Sequence, residues 1–542
     1  MRVRTRYGAV VVGAAALALG LSACGGGTPE ATGAVTINGS EPENPLVPSN
    51  TNETGGGNII DNLFTGLVEY NNDTAEPELA MADSIEANDD KTVWTVKLKD
   101  DWTFHDDTPV TANSFVDAWN YASYGPNGQL NSYFFGPDGL GIAGFEEVQG
   151  EDANGDEAIT EDEAPVKEMS GLKVVDDTTF EVTLENPNGL FETVVGYSAF
   201  APLPESFFDD PDAFGEAPVG NGPFEFVAWD KKQEIRATAF EGYKGDDAPK
   251  VKDVTWKIYQ ELDAAYADLL AGNLDVLDSI PSSARAGDQY QSDLGDRWVN
   301  QAAGVIQTFT FPLYVEAYDN LALRQAVSMA FDREEVIDIA FPGRLPATGY
   351  SSPVVEGFVE DQCGEFCTYN PDRAKELFAE SGYTGALTLS YNADGDHKTW
   401  TEAVCNGIKN TLGVECTATP FVDFATFRAD INDRKMTGPF RTGWQMDYPS
   451  IENFLAPIYS SNGSANDGDY SNEQVDALLV EAKGLTGDEA LSKYQEAEKL
   501  AVAELPAVPL WYGDTTAGWS ESVENVKFTP FSRVAVTEIE KN

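Results

Sequence analysis

The chain has 542 residues, 42% of them hydrophobic and 23% charged, which excludes a wholly disordered chain and a protein with many membrane spans. Its 91 Asp and Glu against 34 Lys and Arg give a net charge of −57, which excludes a basic nucleic-acid footprint and a polybasic membrane patch. Only two histidines occur, His105 and His397, so a three-histidine metal site and a relay of several imidazoles are excluded too.

Residues 1–23 read as an export signal. Arg2, Arg4 and Arg6 precede an uncharged stretch, 9–21, that is too short to span a bilayer and suits a secretory apolar region. The stretch ends in Leu21, Ser22, Ala23 and Cys24, which resembles the bacterial lipobox and predicts a lipid on Cys24. The rival reading is a secreted protein with a chance cysteine. Residues 24–33 are small and polar, as a tether is. No later run approaches eighteen apolar residues, so the lipid is the expected sole anchor.

Beyond the tether, short β-like runs alternate with helical ones. Residues 92–98 alternate apolar and polar with period two, as a half-buried strand does. Residues 111–121 open a helix with Phe115, Ala118, Trp119 and Ala122 on one face. Gly139, Gly141 and Gly144 match G-x-G-x-x-G, but no strand precedes them, so a dinucleotide site is not expected. The acid-rich run 146–168 contains Asp152, Asn154 and Asp156 at calcium-loop spacing. Glu157 occupies the position that needs glycine, so a solvated surface insertion is the favoured reading. Strands follow at 179–184 and 254–259, and helices at 263–270, 321–339 and 371–379, the last opening on Pro371. No internal repeat is evident. This mixture predicts an α/β (mixed α+β) protein.

With Cys24 lipidated, Cys363, Cys367, Cys405 and Cys416 remain. In an oxidising space the short spacings favour Cys363–Cys367 and Cys405–Cys416 disulfides. A four-thiolate zinc site lacks its usual C-x2-C knuckle. No G-x-S-x-G, H-E-x-x-H or P-loop motif occurs, so an enzyme is not expected. His105 beside Asp106 is a conceivable general base, but a turn histidine is the commoner reading. His397 reads as a loop residue.

Five blocks in order resemble one family. They are 92–99 with 102–112 and Phe115; 219–226; 269–275; 320–326 with 330–333; and 441–448, which holds Arg441, Trp444, Asp447 and Tyr448. Together, behind a lipobox, they resemble the peptide/oligopeptide-binding lipoproteins of bacterial ABC importers (solute-binding protein family 5). Asp107 stands where that family usually has glycine. The resemblance implies a two-lobed, periplasmic-binding-protein-like fold with a hinge and an extra inserted domain. By analogy, lobe one comprises 34–64, 190–300 and 505–542, the insert is 65–189, and lobe two is 301–504.

The resemblance also implies a function: capture of a peptide between closing lobes and delivery to an ABC permease, at the outer face of the cell membrane. No cofactor, metal or nucleic acid is expected, and the protein should be a monomer. In the family's peptide binders an Asp in a W-x-x-D-Y block takes the ligand's α-ammonium; here it is Asp447. Arg441 lies toward the peptide's far end, where a guanidinium fork suits a carboxylate. Trp444, with Tyr448, walls a side-chain pocket, and Tyr133, Trp511 and Tyr512 are candidates for the opposite wall. The competing reading makes Trp444 and Tyr448 core aromatics and Asp447 a loop cap. Alternative functions are another solute in the same fold (oligosaccharide, metal chelate or haem), an adhesin or sensor, and an extracellular hydrolase.

Overall fold

The computed structural model describes residues 33–152, 159–393, 396–422 and 424–542. The expected export signal and Cys24 lie outside the described residues, as does the centre of the calcium-like loop. Among the described residues, no helix is long and apolar enough to cross a membrane.

The period-two run becomes the strand Val93–Leu98, which buries Trp94, Val96 and Leu98 on one face. It belongs to a four-stranded antiparallel sheet in the order Ala82–Ala87, Val93–Leu98, Thr179–Thr183, Leu172–Asp176. The helix Ala112–Ser123 is held at its start by a Thr111–Ser114 capping box. Its apolar face carries Phe115, Ala118, Trp119 and Ala122, all buried, and Trp119 meets Phe180 of the sheet edge-on at 5.6 Å. Gly144, of the glycine motif, has φ 88 and caps the five-residue helix Phe145–Gln149, so the motif makes a turn.

The rest of the chain is organised by a ten-stranded mixed sheet. Its order is Cys416–Phe421, Leu387–Asn392, Phe440–Gln445, Trp298–Thr310, Ala507–Trp519, Val276–Leu277, Ala34–Gly39, Asp253–Ile258, Glu234–Ala239, Phe224–Asp230. The two central strands, each of 13 residues, run antiparallel and their pairing breaks between Ala302 and Ile306. On one side of the break, residues 306–310 pair with 507–512 and also with Phe440–Gln445. On the other side, residues 298–302 pair with 514–518.

The single helix expected over 321–339 is two, Leu321–Ser328 and Arg333–Ala340. Asp332 ends the continuity, because its carboxylate accepts the Glu334 and Glu335 N–H groups and caps a new helix. Arg333 secures the joint by donating to the Ser328 and Pro509 carbonyls. The helix Pro371–Ser381 starts at proline and stops at Gly382, φ 67.

Cys363 is bonded to Cys367 and Cys405 to Cys416, with Cα separations of 5.6 and 4.9 Å. The second bond ties the helix Lys398–Leu412 to the strand Cys416–Phe421 across the turn at Gly413. Replacing both Cys405 and Cys416 with Ser should destabilise the protein by about 2–3 kcal/mol, from the lost restriction of the unfolded chain. Denaturant unfolding with and without reductant measures this. A loss below about 0.5 kcal/mol would show that the turn alone holds the junction.

His105 is not placed for catalysis. Its Nδ1 accepts the Gly220 N–H (3.2 Å), its Nε2 donates to the Gly222 carbonyl (3.1 Å), and its ring packs on Phe240. Burial pushes its pKa down to about 4, so it is a neutral structural link near neutral pH.

Candidate ligand-binding site

Two cavities flank the C-terminal end of the strand Phe440–Gln445. The first has a volume of about 360 Å³, and its lining includes Asp61, Tyr70, Tyr197, Asp278, Asp447, Phe531 and Arg533. Asp447 lies in the turn between that strand and the helix Ile451–Tyr459, whose N-cap Ser450 accepts the Glu452 N–H. Asn453, in the first turn of the helix, reaches back into the turn. Its Oδ1 accepts the Asp447 N–H at 2.9 Å and the Trp444 Nε1–H at 3.0 Å, and its Nδ2 donates to Asp447 Oδ2 at 3.1 Å.

Among the described residues, no lysine or arginine forms an ion pair with the Asp447 carboxylate. Burial pushes its pKa up to about 7, the Asn453 hydrogen bond opposes the rise, and the Glu452 charge adds to it. Three tyrosines surround it. Burial, and then the Asp447 charge, raises the pKa of Tyr70, Tyr133 and Tyr197. Tyr70 stacks on Phe531 at 5.2 Å and donates to the Thr193 carbonyl at 2.7 Å. Farther along the same wall, Arg533 forms an ion pair with Asp61 of the helix Thr54–Leu63, and burial pushes its pKa down to about 10. Asp278 accepts from Asn38 at 2.7 Å, and burial raises it to about 6. The cavity therefore offers an enclosed carboxylate without a counter-ion, an aromatic wall and a guanidinium on a separate element. A ligand ammonium would supply the charge that Asp447 lacks.

The second cavity, about 220 Å³, is lined by Arg441, Trp444, Phe424, Phe427 and Tyr459 among others. Arg441 pairs in register with Phe309, and Trp444 with Ile306, on the neighbouring long strand. The Arg441 guanidinium lies 5.8 Å from the Phe424 ring centroid. Asp447 and Arg441 thus line different cavities, and the Trp444–Asn453–Asp447 hydrogen bonds connect them.

Other residues expected at the site lie elsewhere. Trp511 packs against Phe341 and Trp400 at 5.3 and 5.4 Å, and Tyr512 accepts the Thr348 N–H through its hydroxyl. Both are buried and line neither cavity. The reason is their strand: it is central, and two separate cores cover its two faces, so adjacent residues are both interior. Tyr448 is also a core aromatic, its hydroxyl donating to Glu452 at 2.6 Å. Tyr133 stacks on Phe134 at 4.3 Å and sits close enough to Asp447 to feel its charge. Sequence reasoning missed Tyr70, Tyr197, Asn453 and Arg533. Arg533 is one of three basic residues beside four acidic ones in 521–542, so no local charge pattern marked it.

The family described as "Bacterial extracellular solute-binding proteins, family 5 Middle" matches residues 76–466. The chain belongs to that family. Among curated relatives of this family 5 protein, the dipeptide-binding protein DppE of Bacillus subtilis is 26% identical over 501 residues, covering 89% of this chain and 87% of its own. The oligopeptide-binding protein OppA of the same species is 26% identical over 543 residues, covering 93% and 94%. Haemophilus influenzae OppA, solved in complex with RPPGFSPFR, superposes with a TM-score of 0.75 at 20% identity, covering 94% of this chain and 99% of that one. The fold of this family 5 protein is thus the two-lobed periplasmic-binding-protein architecture expected from the sequence.

Proposed function

We propose that this family 5 protein captures peptides between its lobes and delivers them to an ABC permease, held at the outer face of the membrane by lipid on Cys24. The observation that carries the reading is Asp447: an enclosed carboxylate on a cavity wall, with no cation paired to it among the described residues. A peptide's α-ammonium is the charge such a group lacks, and it is common to peptides of any sequence. The aromatic wall of Tyr70, Tyr197 and Phe531 suits an extended backbone and varied side chains. Arg441, in the second cavity, would serve the far end of a longer peptide.

In this reading lobe one comprises 34–64, 190–300 and 505–542, the insert 65–189 and lobe two 301–504. Closure is a hinge motion, driven by the tighter binding of ligand to the closed state. The protein acts as a monomer, without cofactor or metal.

Native mass spectrometry of the purified protein, followed by calorimetry with the peptides it retains, tests the proposal. Retained peptides that rebind support it. A retained sugar, haem or metal chelate, with no peptide binding, would overturn it. For the anchor, Cys24→Ser is expected to release the protein into the medium, because the lipid is its only hold. Unchanged membrane retention of that variant, read by cell fractionation, would count against lipidation.

A further inference from the structure

We infer that Asn453 is a positioning residue that locks the Asp447 carboxylate and the Trp444 indole into one geometry, so that the ammonium-binding group and the wall of the neighbouring pocket work as a unit. The inference rests on the peptide reading above. Asn453 is 1% exposed and lines neither cavity, but its side chain hydrogen-bonds Asp447 of the first and Trp444 of the second.

The orientation of its amide is decided by its neighbours. The Asp447 backbone N–H and the Trp444 Nε1–H can only donate, so the group facing both must be Oδ1. The nitrogen then faces Asp447 Oδ2, which can accept. No other residue type of this size supplies an acceptor for two N–H groups and a donor for a carboxylate.

Among the described residues, no other side chain performs this task at Asp447. The facing titratable groups are Tyr70, Tyr133, Tyr197, Tyr448 and Glu452. The Tyr70 hydroxyl is committed to the Thr193 carbonyl and the Tyr448 hydroxyl to Glu452. Glu452 carries a like charge. Among the described residues, Asn453 is the side chain that hydrogen-bonds the Asp447 carboxylate. Without it the carboxylate is free to rotate away from an incoming ammonium, and its charged form loses a donor. The same loss releases the Trp444 indole, so both cavities are disturbed together.

The test is a double-mutant cycle between Asn453→Ala and Asp447→Asn. It is read by calorimetry with peptides bearing a free amino terminus, beside a thermal melt of each variant. Asn453→Ala alone is expected to weaken binding about ten- to a hundredfold, the range for removing a hydrogen bond to a charged group. In the Asp447→Asn background it should add less than about a threefold loss, because the carboxylate it positions is gone. Asn453→Ala should also shift the midpoint of the pH dependence of binding upward. Asn453→Asp keeps the acceptor for Trp444 but turns an oxygen toward the Asp447 carboxylate. It should leave the Trp444 indole N–H resonance in place while losing affinity as Asn453→Ala does, and it serves if Asn453→Ala does not fold. Equal losses from Asn453→Ala in both backgrounds, or an unmoved pH midpoint, would show a merely structural residue and overturn the inference while the peptide reading stands. No peptide binding by the parent protein would overturn both.

Discussion

Asp447→Asn is expected to weaken the binding of peptides with a free amino terminus by about 2–5 kcal/mol, the range for truncating one partner of a buried charge pair. N-acetylated peptides, which lack the ammonium, should lose almost nothing. The pH dependence has a definite sign. In the empty protein the Asp447 carboxyl is raised to about 7, chiefly by burial. Binding an ammonium requires the ionised form, so the parent's affinity should fall as pH drops below about 7, by up to roughly tenfold per unit. The variant has no carboxylate at position 447 to protonate and should lose that part of the pH dependence.

Stability should move the other way. A carboxyl that titrates near 3.8 unfolded and higher when folded keeps its proton longer in the native state. Asp447's contribution to the stability of the empty protein therefore falls as pH rises through the window from about 3.8 to 7. Asp447→Asn removes that loss and should stabilise the empty protein at pH 8 by up to about 4 kcal/mol, an upper limit because the carboxylate still meets cavity water. A variant that binds peptides poorly yet melts higher cannot be explained by misfolding. Equal losses for free and acetylated peptides, or a lower melting temperature at pH 8, would remove Asp447 from the role.

The parts of the molecule legible in the sequence are those whose side chains obey one local period. The strand Val93–Leu98 and the helix Ala112–Ser123 each bury one face of one element, so alternation or helical spacing reveals them. The break between Ser328 and Arg333 was not legible. The apolar positions keep helical spacing across it, and only the cap made by Asp332 ends the run. Trp511 and Tyr512 show a related effect: on a central strand covered on both faces, adjacent residues are both interior, so a core aromatic and a pocket aromatic look alike in the sequence. The family resemblance pointed to Asp447 and Trp444 but not to Asn453, whose side chain hydrogen-bonds both. Asn453 lies one helical turn beyond a serine cap, where a polar residue is unremarkable. Arg533 and Asp61 meet only in the fold, far apart in the chain, and no local spacing links them.

Asp514→Ala is expected to cost about 3–5 kcal/mol of stability, the range for breaking a buried ion pair by removing one partner. Asp514 lies on the long strand Ala507–Trp519, paired with Ala302 beside the break in the central pairing. Its side chain is 6% exposed and binds two arginines, Arg285 Nη2 and Arg344 Nε, each at 2.5 Å. Thr516 Oγ1 and Asn300 Nδ2 donate to it as well, at 2.7 and 3.1 Å. Burial pushes this carboxyl up, but the two guanidinium groups and the Thr516 hydroxyl outweigh it and hold it below the usual range. The stability it contributes is therefore present above the unfolded value near 3.8 and is lost as pH falls through the lower folded value. Arg285 ends the short helix Ser282–Arg285 and Arg344 follows the helix Arg333–Ala340, so one carboxylate gathers elements that precede and follow the first long strand. Removing it leaves two guanidinium groups facing each other with little water to screen them. Asp514→Asn keeps the shape and one acceptor, and should cost less than alanine. Denaturant unfolding of both variants at pH 7 decides the matter. Losses below about 1 kcal/mol, or equal losses for Asn and Ala, would show that the carboxylate's charge does not hold the joint.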